Sequence, residues 1–309
     1  MAQKTICEKC HSEMIFSSEL DGFKCVNPRC NNFISRRIHS GSKDKNLSKR
    51  KTAKYIDEIS KNKKIVIFEY ANHPAVSARN RGDCGTLTGK VLIINFFISD
   101  GIDKWTENEK NKYIEDLAKV KERLEDEASA YEKLKIEYKN EDITLENKFD
   151  KVDNKWIDEL LNLLGVKTTS DYIQKIKSID DSYKEVALCF IFNKDFRSYA
   201  YLSKNKGISI YSQSESSIIG VKFSNDFVRT YIHELFHQFG AYDLYYPDEY
   251  KKAAELYLKD SIMNGGLVFD DLTKYVIGWT KKKTKNMLNF LEDTKFITDD
   301  DIEEARKKA

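Results

Sequence analysis

The sequence predicts an α+β fold preceded by a small cysteine-built module. Three observations carry this. Two β-branched and aromatic runs, Lys90–Ser99 and Glu185–Phe192, are apolar at successive positions, the pattern of central strands covered on both faces. Between and after them, apolar residues recur at steps of three and four, the helical period. Four of the six cysteines fall within the first 35 residues, in two close pairs.

The composition bounds the function. A chain of 309 residues has room for one large domain or two small ones. It is 33% charged, but 17 Tyr and 17 Phe are too many for a mostly disordered chain. The 52 Lys and Arg nearly cancel the 50 Asp and Glu. That does not indicate a globally basic nucleic-acid binder, though it leaves room for local basic patches. The longest strongly apolar stretch, Val91–Ile98, is strand-sized, so no membrane-spanning helix is expected. The first ten residues contain no apolar segment of the signal-peptide kind, which predicts a cytoplasmic protein. In that reducing compartment, clustered cysteines point to metal before disulfide.

Along the chain, residues 1–35 hold the pairs Cys7/Cys10 and Cys25/Cys30, with Met14–Phe16 and Gly22–Lys24 as short hairpin strands between them. Residues 36–64 are polar and rich in Lys and Arg. They read as a flexible basic linker ending in a short helix over 52–60. Residues 65–309 form the main domain, with strands expected over Ile65–Tyr70 and Lys90–Ser99. From Thr106 to Asn140, Tyr113, Leu117, Val120, Leu124, Ala128, Tyr131, Leu134 and Tyr138 make one helical stripe. A single helix of that length spans about 50 Å, so either part of it projects or a break near Ser129 folds it back. The stripe packs on its own domain or pairs with a partner as a coiled coil. Shorter helices over Trp156–Leu164 and Ser170–Ile176 complete a helical insertion around 106–180. Short strands follow at Gly207–Tyr211 and Ile218–Phe223. A helix from Asn225 to Phe239 then starts at the cap Ser224 and is ended by Gly240.

That helix carries His233-Glu-Leu-Phe-His237. Residues four apart share a helix face, so both imidazoles can ligate one metal. Glu234 sits beside the first ligand as a general base for an attacking water. Gly240 permits a left-handed turn, after which the chain can double back and present Asp243 as third ligand. Three protein ligands leave one position open, which marks a catalytic rather than a structural zinc. Eighteen residues after Asp243 comes Ser261-Ile-Met-Asn-Gly-Gly266.

Together these residues resemble the metzincin metallopeptidases, whose motif H-E-x-x-H-x-x-G-x-x-H is followed by a Met-containing turn beneath the zinc. Met263 fits that turn. Asp243 stands where most of the family has a third His, as in the minority with a carboxylate ligand, the snapalysin-type peptidases. Gly265 stands where some members carry a zinc-proximal Tyr; Tyr242, Tyr245, Tyr246, Tyr257 and Tyr275 are nearby in sequence, and none can be placed. The resemblance implies a metzincin-like catalytic domain with mixed sheet, long helix, zinc helix and Met-turn. It implies a zinc endopeptidase that cleaves a protein or peptide substrate, with Glu234 as general base and His233, His237 and Asp243 as ligands. It also implies an edge strand that pairs with extended substrate, for which Gly207–Tyr211 and Ile218–Phe223 are equal candidates.

The spacing Cys7-x2-Cys10 and Cys25-x4-Cys30 resembles a zinc ribbon, four thiolates on one structural zinc; the competing reading is reduced, unligated thiols. The expected cofactors are therefore two zinc ions, one catalytic and one structural. With Lys9, Lys24, Arg29, Arg36, Arg37 and the basic linker, the ribbon can contact nucleic-acid phosphates or dock a protein partner. The alternative function is a zinc-ribbon adaptor or nucleic-acid-binding regulator whose metzincin-like domain has no turnover. Cys84 reads either as a buried thiol or as a latency ligand to the catalytic zinc, and His39 and His73 as loop residues without a role.

Overall fold

The computed structural model describes residues 5–6, 13–17, 22–25, 33–35, 73–77, 84–148, 155–194, 197–201, 203–204, 207–208, 216–220 and 226–308. The chain divides into two compact units, Met1–Val66 and Ile67–Ala309. In the first, β1 (Thr5–Ile6), β2 (Glu13–Ser17), β3 (Gly22–Cys25) and β4 (Phe33–Ser35) form an antiparallel sheet in that order. The β2–β3 hairpin pairs Phe16 with Phe23 and Met14 with Cys25. Cys7, Cys10 and Cys30 lie outside the described residues, and with them the expected cysteine zinc site. So do the linker 36–64, its short helix and the strand expected over Ile65–Tyr70.

The second unit is built on a five-stranded mixed sheet among the described residues. Its strands are β5 (Gly89–Ser99), β6 (Leu134–Thr144), β7 (Glu185–Phe192), β8 (Tyr199–Tyr201) and β11 (Ser216–Gly220). Their order is β6-β5-β7-β11-β8. The first four run parallel and β8 runs antiparallel to β11. β9 (Ser203–Lys204) and β10 (Gly207–Ile208) make a separate hairpin. The helices are α1 (Pro74–Ser77), α2 (Glu107–Ala128), α3 (Lys155–Leu164), α4 (Thr169–Ile179), α5 (Phe227–Gln238), α6 (Asp248–Tyr257), α7 (Asp271–Val276), α8 (Lys285–Asp293) and α9 (Asp299–Lys308). No helix among the described residues is long and apolar enough to cross a membrane.

Both faces of the sheet are covered, which is why β5 and β7 read as unbroken apolar runs. Leu92, Ile94, Phe96 and Ile98 join Val186, Leu188, Phe190 and Phe192 in a core with Trp156, Leu160 and Leu161 of α3 and Tyr172 and Ile173 of α4. Phe96 stacks on Phe190 with ring centroids 5.2 Å apart. Side chains alternate along a strand, so Val91, Ile93, Asn95 and Phe97 point to the other face. There an aromatic chain runs Phe97–Trp105–Tyr113–Phe227–Tyr231 and joins the sheet to α2 and α5.

The helix expected over 106–140 is shorter than its stripe. α2 buries Leu117, Val120, Leu124 and Ala128 within its own unit and ends there. Leu134 and Tyr138 belong instead to β6, paired residue by residue with β5. The segment around 106–180 therefore holds a strand of the central sheet as well as helices, and is not a purely helical insertion. Leu134, Ile136 and Tyr138 alternate with Lys135, Glu137 and Lys139. That period of two is masked because steps of four also fit it. β6 is a sheet edge, and its one charged face carries the pairs Lys135–Glu137 at 2.8 Å and Lys139–Glu141 at 2.5 Å, a common protection for an edge. Charged alternation on an edge strand looks like a solvated helix.

α2 starts with a reciprocal cap: Glu109 N–H donates to Thr106 Oγ1 at 3.3 Å and Thr106 N–H donates to Glu109 Oε2 at 3.0 Å. Thr106→Ala should cost about 1 kcal/mol, read as a lower urea midpoint at unchanged slope.

Candidate metal centre

α5 follows β11 and begins at Asp226, whose side chain accepts Arg229 N–H at 3.0 Å. The expected cap, Ser224, lies outside the described residues. Two polar side chains fix the helix to the sheet. Tyr231 Oη donates to Asn95 Oδ1, and Asn95 Nδ2 donates to Asn140 Oδ1 at 2.9 Å. The Gln238 carboxamide accepts Leu188 N–H at 3.2 Å and donates to Leu188 C=O at 3.0 Å. The bonds that Tyr231 and Gln238 make are buried, and they set the rotation of α5 and so the direction in which His233, Glu234 and His237 face.

The helix ends as the sequence predicts: Gly240 has φ 90°, a backbone that favours glycine. The chain turns back, and Ala241 N–H reaches Phe236 C=O at 3.1 Å. This return brings Asp243 onto the histidine pair. Its Oδ1 lies 3.0 Å from His233 Nε2 and 3.2 Å from His237 Nε2, and the two Nε2 atoms are 3.2 Å apart. Asp243 is the carboxylate within 3.2 Å of both Nε2 atoms, while Glu234 offers an oxygen within 4.8 Å of both rings.

The other ring nitrogens decide the chemistry. His233 Nδ1 is 2.9 Å from Ile262 C=O and His237 Nδ1 is 2.7 Å from Ala241 C=O. A carbonyl only accepts, so each Nδ1 carries a hydrogen and each neutral ring presents an Nε2 lone pair. Three lone-pair donors thus face one another almost out of water, since Asp243 and His237 are each only 6% exposed. That arrangement calls for a cation between them. A four-coordinate zinc with nitrogen and oxygen ligands at 2.0–2.1 Å needs donors about 3.3 Å apart, close to the separations found. The residues fit the ion.

In the absence of a metal a proton takes that place. Burial opposes a charge on His233, but its hydrogen bond to Asp243 prevails and holds the imidazole up at about 9. Burial likewise works against an ionised Asp243, yet the two histidines hold it well below the usual carboxylate range. Burial raises Glu234, with the neighbouring histidines opposing.

Met263 lies on a short 3-10 turn, Ile262–Asn264, and is 1% exposed. The turn touches two of the three ligand positions through its backbone: Ile262 C=O takes the His233 Nδ1 hydrogen, and Met263 C=O accepts Leu244 N–H at 2.8 Å, next to Asp243. Ser261 Oγ accepts Met263 N–H at 3.1 Å and donates to buried Asp270 at 2.6 Å. Gly266 is required here, since a Cβ would come within 2.1 Å of Asp260 C=O.

Of the nearby tyrosines, Tyr246 and Tyr245 reach the site. Tyr246 Oη donates to Asp243 Oδ2 at 2.7 Å. Tyr245 lays its ring against His233, centroids 6.1 Å apart at 23°, and accepts a hydrogen bond from Arg197. Tyr257 bonds Asp293 instead. Arg197, Tyr246, Asp270 and Gln238 carry no motif that would have marked them in sequence. Cys84 is buried and donates its thiol hydrogen to Val186 C=O at 3.2 Å. His73 is not a loop residue without a role: it is 5% exposed, accepts Ala75 N–H, and stands 3.0 Å from Thr294 Oγ1. His39 lies outside the described residues.

No protein-family model matches the sequence, and no curated protein matches it. The geometry of the centre itself carries the functional reading.

Proposed function

We propose that the Ile67–Ala309 unit is a zinc-dependent endopeptidase of metzincin type, in which His233, His237 and Asp243 hold the ion. The convergence of three lone-pair donors at 3.0–3.2 Å carries this reading. Its support in the fold is the strand–helix–strand opening β5–α2–β6, the helix bearing both histidines after β11, and the turn at Met263 behind the ligands. A bound zinc supplies a Lewis acid that polarises the scissile carbonyl and activates water near neutral pH. The chain's own residues do the rest. Glu234 is the general base; its burial raises its pKa, making it a stronger base than an exposed glutamate. It takes the proton of the attacking water and returns it to the leaving amine. Tyr246 fixes the Asp243 carboxylate, and the carbonyls of Ile262 and Ala241 fix the rings.

Substrate binding follows from the sheet. β11 is interior, between β7 and β8, and residues 207–208 of the other candidate run sit in the β9–β10 hairpin. Among the described residues the five-stranded sheet ends on β6 and on β8. Of these, β8 is the one that borders β11 and touches α5, and it is a three-residue strand too short for its period to be read from sequence. An extended peptide adds to it by main-chain hydrogen bonds. For the Met1–Val66 unit we infer a structural zinc on Cys7, Cys10, Cys25 and Cys30, and a protein or nucleic-acid partner.

Native mass spectrometry of the full chain tests the metal. Two zinc ions are expected in the wild type and one in His237→Ala; an unchanged count would refute the assignment. A pH titration tests the donor set. His233 is raised from 6.5 to about 9 in the metal-free fold. Its pairing with Asp243 therefore stabilises that fold fully below its ordinary value and is lost as pH rises through about 9. Zinc must displace this proton, so affinity should climb about tenfold per pH unit up to that point. An affinity flat with pH would mean that His233 is not a ligand.

A further inference from the structure

Arg197 lies beside the metal centre, one tyrosine away from His233. It lies two residues before the edge strand β8, is exposed, and is held in place by one tyrosine. Its Nη2 donates to Tyr245 Oη at 2.8 Å, and its guanidinium carbon sits 5.3 Å from the Tyr245 ring centroid. Tyr245 in turn lies against the ligand His233. The arginine is near enough to the centre for its charge to bear on both Asp243 and Glu234. Among the described residues, no carboxylate forms an ion pair with it. Lys194, three residues earlier, is by contrast paired with Asp100 at 2.8 Å and Asp103 at 2.5 Å.

A guanidinium presents five N–H donors in a rigid fork matched to a carboxylate. One donor is used on Tyr245, whose hydroxyl and ring together restrain the side chain. A fork held in this way loses little conformational freedom when an anion arrives. Arg197 is two residues from β8, so an extended peptide added to that strand runs close to it.

We propose that Arg197, held by Tyr245, binds a carboxylate of the substrate next to the scissile bond, so that the site selects acidic peptides. This rests on the peptidase reading. The carboxylate is either an Asp or Glu side chain or the free C-terminus of the substrate.

The test uses the full-length, zinc-loaded protein and a degenerate peptide library, half of it C-terminally amidated, read by mass spectrometry. For an acidic side chain, cuts should cluster within two positions of Asp or Glu in both halves. For a terminal carboxylate, cuts should lie near the end and vanish in the amidated half. Each preferred peptide is then remade with Gln for Glu, or with the amide for the acid. The wild type should favour the acid by about tenfold in kcat/KM. In Arg197→Gln that ratio should fall to near one, and in Arg197→Glu it should invert for Lys-containing peptides. The preference should also shrink with added salt. A ratio unchanged in Arg197→Gln, or an equal slowing of acid and amide peptides, overturns the proposal. Binding separates it from the peptidase reading. Acid peptides should be retained by zinc-loaded Glu234→Ala protein in preference to their amides, and lost from the Glu234→Ala/Arg197→Gln double variant. If the wild type cuts nothing while this retention holds, the peptidase reading fails and the carboxylate site stands. If no acid preference appears in binding, the carboxylate site fails.

Discussion

Glu234→Ala should keep its zinc and lose roughly 10²- to 10⁴-fold in turnover, the span ascribed to a positioned general base. The three donors that face one another are the Nε2 atoms of His233 and His237 and Oδ1 of Asp243, and none belongs to Glu234. Metal content and rate therefore separate. The stability of the metal-free protein should move the other way. Burial raises Glu234 above an ordinary glutamate, so the fold binds its proton more tightly than the unfolded chain does. By linkage, its ionisation works against folding once the pH exceeds the ordinary value. Glu234→Gln, which keeps the shape and removes the charge, should melt higher at pH 7 than the wild type while cleaving far more slowly. A variant that loses activity, zinc and melting temperature together would show instead that Glu234 is structural. A variant that keeps its activity would leave the site without its base.

The chemistry of this centre is more legible in the sequence than the framework around it, for a physical reason. Two histidines one helical turn apart, a base between them and a glycine that must adopt positive φ are local requirements, and local requirements appear as spacing. Gly240 and Asp243 follow from such rules. β6 does not, because the alternation of Leu134, Ile136 and Tyr138 on a charged edge strand also satisfies the helical period. The edge strand β8 does not, since three residues carry no period at all. The groups that orient the ligands are the least legible. Ile262 and Ala241 act through their carbonyls, which any residue provides. Gln238 grips the backbone of Leu188 from 50 positions away. His73 looks like a loop residue because its partners, Tyr250 and Thr294, come from distant helices.

Asp270 is the residue on which this outer support converges, and its loss should be felt in two measurements at once. Oδ1 accepts the Leu272 and Thr273 N–H groups at 2.9 and 3.0 Å and so caps α7. Oδ2 accepts the hydroxyls of Ser261 and Thr273, each at 2.6 Å. Ser261 holds Met263 N–H, and the same turn supplies the carbonyls that meet His233 and the residue after Asp243. Asp270→Ala leaves four buried donors unmet and should cost roughly 3 kcal/mol or more. It should also weaken zinc binding about 10- to 100-fold, as is usual when a group that orients a ligand is lost. The paired hydroxyls let the two effects be told apart. Thr273→Val removes a hydroxyl bond on the α7 side and leaves Ser261 on the turn, so stability should drop with zinc affinity little changed. Ser261→Ala cuts the link between Asp270 and the turn, so zinc affinity should drop more than stability does. If both single variants lost stability and zinc affinity in the same proportion, the Met263 turn would be ordinary packing and the orientation of His233 would have to come from α5 alone.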